Sequence, residues 1–275
     1  MTPMECERLA RALLPSVLEA GAIEMRYYHS GVAIERKADA SPVTAADREA
    51  EVVLLAALAQ MAPGVPVIAE EAVSRGAVPS IADAFFLVDP LDGTREFINQ
   101  RDQFTVNVAL VRGGTPVFGI VFAPALGELC VTLGPARAGY VRIAAATPAP
   151  ALAALEFTDI RTRRPDRDAL VAVASLSHGA AEADRFLARY RVSQRRKAGS
   201  SLKFCVLARG EADIYPRIGP TMEWDTAAGH AVLAAAGGSV TELDGTPFVY
   251  GKADKGFLNP DFVAWGTPEP FSYGS

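Results

Sequence analysis

The pattern of apolar and polar positions divides the chain into two halves of different character. Leu9, Leu13, Leu14, Val17 and Leu18 recur at helical spacing and predict a helix over residues 5–25. Residues 32–36 read as a short strand, and 37–44 as a polar loop. Thr44, with Asp47 three positions on, marks the start of a second helix running to Met61, capped by the threonine and favoured by the acid near its positive end. Two short apolar strands follow, 66–69 and 84–88, and each runs directly into acids, Glu70-Glu71 and Asp89. Residues 104–112 and 116–122, joined across Gly113-Gly114, predict a hairpin that 128–133 and 139–143 extend into a meander. The Ala/Pro-rich run 144–154 reads as a connector. Beyond it, strands at 170–174, 212–215, 239–243 and 262–265 alternate with helices at 180–190, 200–208 and 224–236, the last closed by Gly237-Gly238. The expected organisation is an α+β subdomain over 1–148 packed on an α/β subdomain over 149–275.

Composition narrows the function. A chain of 275 residues, half of them hydrophobic, has ample material for a core. Lys plus Arg is 27 against 32 Asp plus Glu, a formal charge of −5 that leaves no electrostatic footprint for a nucleic-acid polymer. A small polyanion needs a local basic pocket or bound cations. Cys6, Cys130 and Cys205 are odd in number and far apart with no C-x-x-C, which points to buried thiols in a reducing compartment. Charges near the N-terminus do not fit a signal peptide. The longest apolar runs, such as 52–59, fall short of the ~20 residues that cross a bilayer. A cytoplasmic protein without a transmembrane segment is expected, and the sequence carries no sign of its oligomeric state.

Acids at the ends of elements are the informative feature. A surface charge has no reason to follow Phe85-Phe86-Leu87-Val88, yet Asp89 and Asp92 do, separated by Pro90-Leu91. Glu70 and Glu71 end another strand, and Asp225 opens a helix far downstream. Carboxylates at the edge of a core repel one another, and a hard divalent cation with oxygen preference, such as Mg²⁺, offsets that repulsion. In Asp89-Pro-Leu-Asp-Gly-Thr94, Pro90 stiffens the turn and Gly93 sharpens it, leaving N–H groups of Gly93 and Thr94 to cradle a phosphate. Carboxylates for metal beside amides for phosphate predict metal-assisted phosphoryl transfer to water. The same residues also make turns and helix caps without any chemistry, and spacing alone leaves that alternative open. His230 falls one turn after Asp225 but reads as packing, since Mg²⁺ prefers oxygen. Trp224 reads as core.

Three motifs in order resemble the inositol monophosphatase superfamily: Glu70-Glu71, Asp89-Pro-Leu-Asp-Gly-Thr94 and Trp224-Asp225-Thr-Ala-Ala-Gly229. Within it, the chain is most similar to bacterial 3'(2'),5'-bisphosphate nucleotidases. That resemblance is carried by Lys37-x-Asp39-x-Ser41-Pro-Val-Thr44-x-x-Asp47, Thr94-Arg-Glu-Phe97, Gly199-Ser-Ser-Leu-Lys-Phe-Cys205, Tyr215-Pro-Arg-x-Gly-Pro-Thr221 and Asn259-Pro260. It implies a layered αβαβα sandwich and a small phosphorylated substrate, adenosine 3',5'-bisphosphate, cleaved to AMP and phosphate. It also implies lithium-sensitive activity and peripheral association with the inner membrane in some relatives. The resemblance makes Glu70, Asp89, Asp92 and Asp225 side-chain ligands, and Leu91 a carbonyl ligand, of two or three Mg²⁺ per site. It gives Asp47 and Thr94 the attacking water, Gly93 and Thr94 the phosphate, and His178, Ser200, Lys203 and Arg217 the nucleotide. Arg95 stands where many relatives have Lys. An inositol- or sugar-phosphate phosphatase shares the metal end of this pattern, and a non-catalytic binding protein would have no need for all four acids.

Overall fold

The computed structural model describes residues 1–30, 35–36, 42–143, 155–175 and 180–268. Helices α1 (Pro3–Ser30) and α2 (Ala45–Met61) pack together as an outer layer. Thr44 caps α2 as expected: its hydroxyl accepts from the N–H of Ala46, and Asp47 accepts from the N–H of Thr44. A two-residue ladder, β1 (Glu35–Arg36) with β2 (Pro42–Val43), precedes it.

The pair covers a seven-stranded sheet in the order β3 (Val67–Ala69), β4 (Ala84–Asp92), β5 (Thr105–Arg112), β6 (Thr115–Ala123), β7 (Glu128–Gly134), β8 (Arg137–Arg142), β9 (Thr158–Ile160). Only β3 and β4 run parallel. Leu13, Leu14 and Val17 of α1 and Leu54 of α2 meet Val88, Val106 and Phe118 of the sheet in one core. Strands β4 and β5 are buried on both faces, which is why they read as unbroken apolar runs. The second face is covered by α6 (Leu202–Ala208) and α7 (Glu223–Ala235). These helices lie between the first sheet and a second one, ordered β11 (Val192–Ala198), β10 (Leu170–Ser175), β12 (Ile214–Arg217), β14 (Phe262–Trp265), β13 (Ser239–Glu242). Leu87, Val111 and Val121 of the first sheet share a core with Phe204, Trp224, Tyr215 and Phe262. Helix α5 (Ala180–Leu187) closes the outer face through Phe186 and Leu187 on Ile214 and Trp265. The layers are therefore αβαβα, as the sequence resemblance implied.

Differences from the expected elements have physical reasons. Strand β11 has five consecutive exposed residues on a sheet edge, so it carries no apolar alternation to read. Strand β4 continues past Val88 to Asp92, pairing Asp89 with Asn107 and Asp92 with Thr105 around an irregularity. Helix α6 starts at 202 rather than 200 because Ser200 takes φ +51°, outside the helical region. The connector at 144–154, with the boundary expected at 148/149, lies outside the described residues, as do Lys37, Asp39, Ser41 and His178. No helix among the described residues is long and apolar enough to cross a membrane.

Candidate active site

The end of β4, a strand of the second sheet and the starts of four helices meet at a cleft of about 300 Å³. Strand β4 brings Asp89, Leu91 and Asp92. Helix α3 (Glu70–Ser74) brings Glu70, because β3 ends at Ala69 and the chain turns directly into a helix. Gly93, at φ +92°, makes the turn into α4 (Thr94–Ile98). A Cβ there would sit 3.2 Å from the Gln103 carbonyl oxygen, so both the torsion and the space call for glycine. Gly199, Ser200 and Lys203 enter from the start of α6, Tyr215 and Arg217 from β12, and Trp224 and Asp225 from the first turn of α7. All the acids singled out in the sequence as metal ligands line this one cleft, although 155 residues separate Glu70 from Asp225.

Asp89 is 1% exposed, and its carboxyl is pushed well up, first by burial and then by the charges of Glu70, Asp92 and Asp225. Asp225 is half-buried; it too is pushed up by desolvation, then by Asp92 and Glu70, while the N–H of Met222, 2.9 Å from its Oδ2, opposes the shift. Among the described residues no three acidic, histidine or cysteine side chains form a ready-made metal cage. The four acids nevertheless act on one another through space, and three of them accept from protein donors, Asp89 Oδ1 from the N–H of Leu91 at 3.0 Å. Asp92 Oδ2 accepts from Ser200 at 2.6 Å and from Ser201 at 3.2 Å, and Asp225 accepts from Met222. Converging hard oxygens whose charges push one another up fit a divalent cation of the Mg²⁺ type.

Behind this cluster lies Asp47, 1% exposed. Thr44 donates to its Oδ2 from N–H at 2.8 Å and from the hydroxyl at 2.7 Å. Thr94 Oγ1 lies 3.4 Å from Asp47 Oδ1 and 3.3 Å from the Leu91 carbonyl oxygen, a long, shared donation. Burial raises Asp47 to about 7 against the lowering effect of Thr44, with Glu71 and Glu70 adding to the rise.

The cleft also holds positive charge. Lys203 is 6% exposed, and burial lowers its ammonium to about 8. Among the described residues it has no ion-pair partner, and its Nζ stands 5.4 Å from the centre of the Tyr215 ring. Arg217 donates from Nη2 to the Pro220 carbonyl, while its Nε is buried without a hydrogen-bond partner among the described residues.

Some residues that sequence reasoning passed over belong to this region. Glu51, 1% exposed, accepts the N–H groups of Glu71 at 2.7 Å and Ala72 at 3.3 Å and pairs with Arg75, so it anchors the start of α3. Its signal was an acid one turn after Asp47. Asn107 and Thr105 are also buried near Asp92, with no signal beyond polarity inside an apolar run, and Ser201 is buried with them, its signal being its place in the Gly199–Cys205 motif. His230 packs against Tyr250 and Phe248, with burial pulling it down to about 3, and Trp224 packs on Phe257. All three cysteines are buried and free.

Comparison with known proteins places the whole chain. Residues 5–262 match the Inositol monophosphatase family. The 3'(2'),5'-bisphosphate nucleotidase CysQ of Escherichia coli strain K12 is 42% identical over 228 residues, 82% of this chain and 86% of that protein. The crystal structure of CysQ from Bacteroides thetaiotaomicron, described as a bacterial member of the inositol monophosphatase family, superposes with a TM-score of 0.78 at 35% identity, covering 96% of this chain and 98% of that one. An inositol monophosphatase from Zymomonas mobilis superposes with a TM-score of 0.72 at 25% identity, covering 95% and 93%.

Proposed function

Because the chain belongs to the inositol monophosphatase family, we propose that the cleft is the active site of a magnesium-dependent 3'(2'),5'-bisphosphate nucleotidase, which hydrolyses adenosine 3',5'-bisphosphate to AMP and phosphate. The observation that carries the substrate is the pairing of two kinds of charge in one cleft. A monophosphate needs only the acidic end with its cations. A nine-tenths-buried Lys203 with no ion pair among the described residues, beside the Nε of Arg217 that has no hydrogen-bond partner among them, favours a second anionic group on the same ligand.

In this reading Glu70, Asp89, Asp92, Asp225 and the Leu91 carbonyl hold two or three Mg²⁺. Bound Mg²⁺ supplies Lewis-acid stabilisation of the transferring phosphoryl group and eases deprotonation of water. The N–H groups of Gly93 and Thr94 orient the scissile phosphate. Thr94 positions the attacking water, and Asp47 takes its proton by way of the Thr94 hydroxyl. A base raised to about 7 is matched to work near neutral pH. Ser200, Lys203 and Arg217 hold the nucleotide and its 5'-phosphate. His178 belongs to the same proposal on sequence resemblance. Water then attacks phosphorus in line and the 3'-oxygen leaves.

Phosphate release with Mg²⁺ from adenosine 3',5'-bisphosphate, inositol 1-phosphate and fructose 1,6-bisphosphate tests this directly. Preference for the nucleotide is expected. Preference for inositol phosphate would keep the acidic end and overturn the roles of Lys203 and Arg217.

A further inference from the structure

We propose that Ser201, held by Asn107, is a positioning residue that fixes the Asp92 carboxylate relative to Asp225 for cation binding. The proposal rests on the metal centre described under Proposed function.

Ser201 occupies the N-cap position of α6, where a serine hydroxyl ordinarily accepts from an N–H of the first helical turn. Here it makes no such bond. The hydroxyl instead points to the acids: Oγ lies 2.7 Å from the Asp225 main-chain carbonyl oxygen and 3.2 Å from Asp92 Oδ2. One hydroxyl proton is thus shared between two residues that reach the cleft from different layers of the sandwich. The remaining capacity of Oγ is an acceptor, and Asn107 Nδ2 on β5 fills it at 2.9 Å. Asn107 is itself held from its other end, where Thr105 Oγ1 lies 3.1 Å from its Oδ1. Asn107, Thr105 and Ser201 are each at most 1% exposed, so the network lies inside the protein and is not rearranged by solvent.

The backbone bends to allow this. Ser200, the residue before, takes φ +51°, a conformation that non-glycine residues rarely adopt. That conformation aims its own hydroxyl at Asp92 Oδ2 and in contact with Thr105. The two serines differ in what they can do. Ser200 lines the cleft and is available to substrate, whereas Ser201 is not among the lining residues and meets only protein. A group that orients a ligand without touching the ion acts on affinity for that ion, typically by ~10–100-fold.

The test is calorimetric titration of Mg²⁺ alone into the wild type, Ser201→Ala and Asn107→Leu, with melting temperatures measured with and without Mg²⁺. Ser201→Ala loses no capping bond but leaves Asn107 Nδ2 without its acceptor, so it is expected to fold and to melt moderately below the wild type without Mg²⁺. It should bind Mg²⁺ about 10-fold more weakly, and the rise in melting temperature on adding Mg²⁺ should shrink. At saturating Mg²⁺ the KM for nucleotide should change little and kcat should recover toward the wild-type value, while at limiting Mg²⁺ kcat falls. Asn107→Leu keeps the serine but removes its donor, and a loss of Mg²⁺ affinity in the same direction is expected. Wild-type Mg²⁺ affinity in both variants overturns the proposal, and so does a lower melting temperature with an unchanged Mg²⁺ response, the signature of a purely structural role. If the wild type itself binds no Mg²⁺, the metal centre falls and this inference with it, an outcome visible before any variant is made.

Discussion

Glu24 is fully buried on α1, and neither of its carboxylate oxygens has a hydrogen-bond partner among the described residues. Burial pushes it well up, and the charge of Asp47 pushes in the same direction. A carboxyl raised in the folded state contributes stability below its unfolded value of 4.5 and loses it as pH rises through the folded one. Glu24→Gln is neutral at every pH. Its melting temperature should match the wild type near pH 4 and exceed it increasingly toward pH 8; a constant difference across that range would mean Glu24 does not titrate as argued. Asp47, raised to about 7, governs a second profile. With Asp47 as the base, kcat/KM should climb from pH 6 to 8 as it deprotonates. Asp47→Asn should lower kcat by ~10²–10⁴-fold and remove that limb. Lys203→Gln separates binding from chemistry. Losing one charge-assisted bond to the substrate should raise KM for the bisphosphate by roughly 10–100-fold, and a monophosphate assayed in parallel should feel far less.

At the scale of elements, the site depends on how closely α7 lies on the first sheet. A Cβ added to Gly119 on β6 would stand 2.3 Å from the Ala228 carbonyl oxygen and 2.8 Å from its Cα. Those atoms are helix backbone and cannot swing aside, so Gly119→Ala must push α7 outward, and Asp225 with it. A loss of ~1–3 kcal/mol is expected, read as a lower melting temperature together with weaker Mg²⁺ binding. Most elements were legible in the sequence because their apolar faces are buried against one neighbour or two: α2, the β5–β6 hairpin and α7 fell close to their expected bounds, while α1 runs five residues past the expected end at 25. Those that were not have little packing to report. Strand β11 sits at an edge with five exposed residues in a row, and β9 is a three-residue edge strand with none buried.

For the molecule as a whole, the two sheets and the helices between them hold an acidic cluster whose repulsion a cation relieves. Mg²⁺ should therefore stabilise the native state and not merely activate it. At 100 times its dissociation constant a ligand adds ~2.7 kcal/mol, which for a chain of this size raises the melting temperature by roughly 5–10 °C. Differential scanning calorimetry against EDTA checks this, and activity should vanish in EDTA and return with excess Mg²⁺. A melting temperature indifferent to Mg²⁺ would contradict the reading of the cluster.

The sequence by itself singled out the acids as candidates for metal-assisted chemistry, and the fold brings them to one cleft. An acid placed directly after a buried strand, as at Asp89 and Asp92, conflicts with local physics unless something compensates it, and that conflict is visible without coordinates. Thr44 with Asp47 and the glycine turn at Gly93 were legible for the same reason, since capping and positive φ are local properties. What only the tertiary structure decided is long-range. Glu51 anchors α3 from α2, Asn107 and Thr105 on β5 reach Ser200 and Ser201 nearly a hundred residues away, and Ser201 joins Asp92 to Asp225. Serine, threonine and asparagine leave no periodic trace when they turn inward. Their partners are set by which strand lies beside which helix, and that is settled by the packing of the layers.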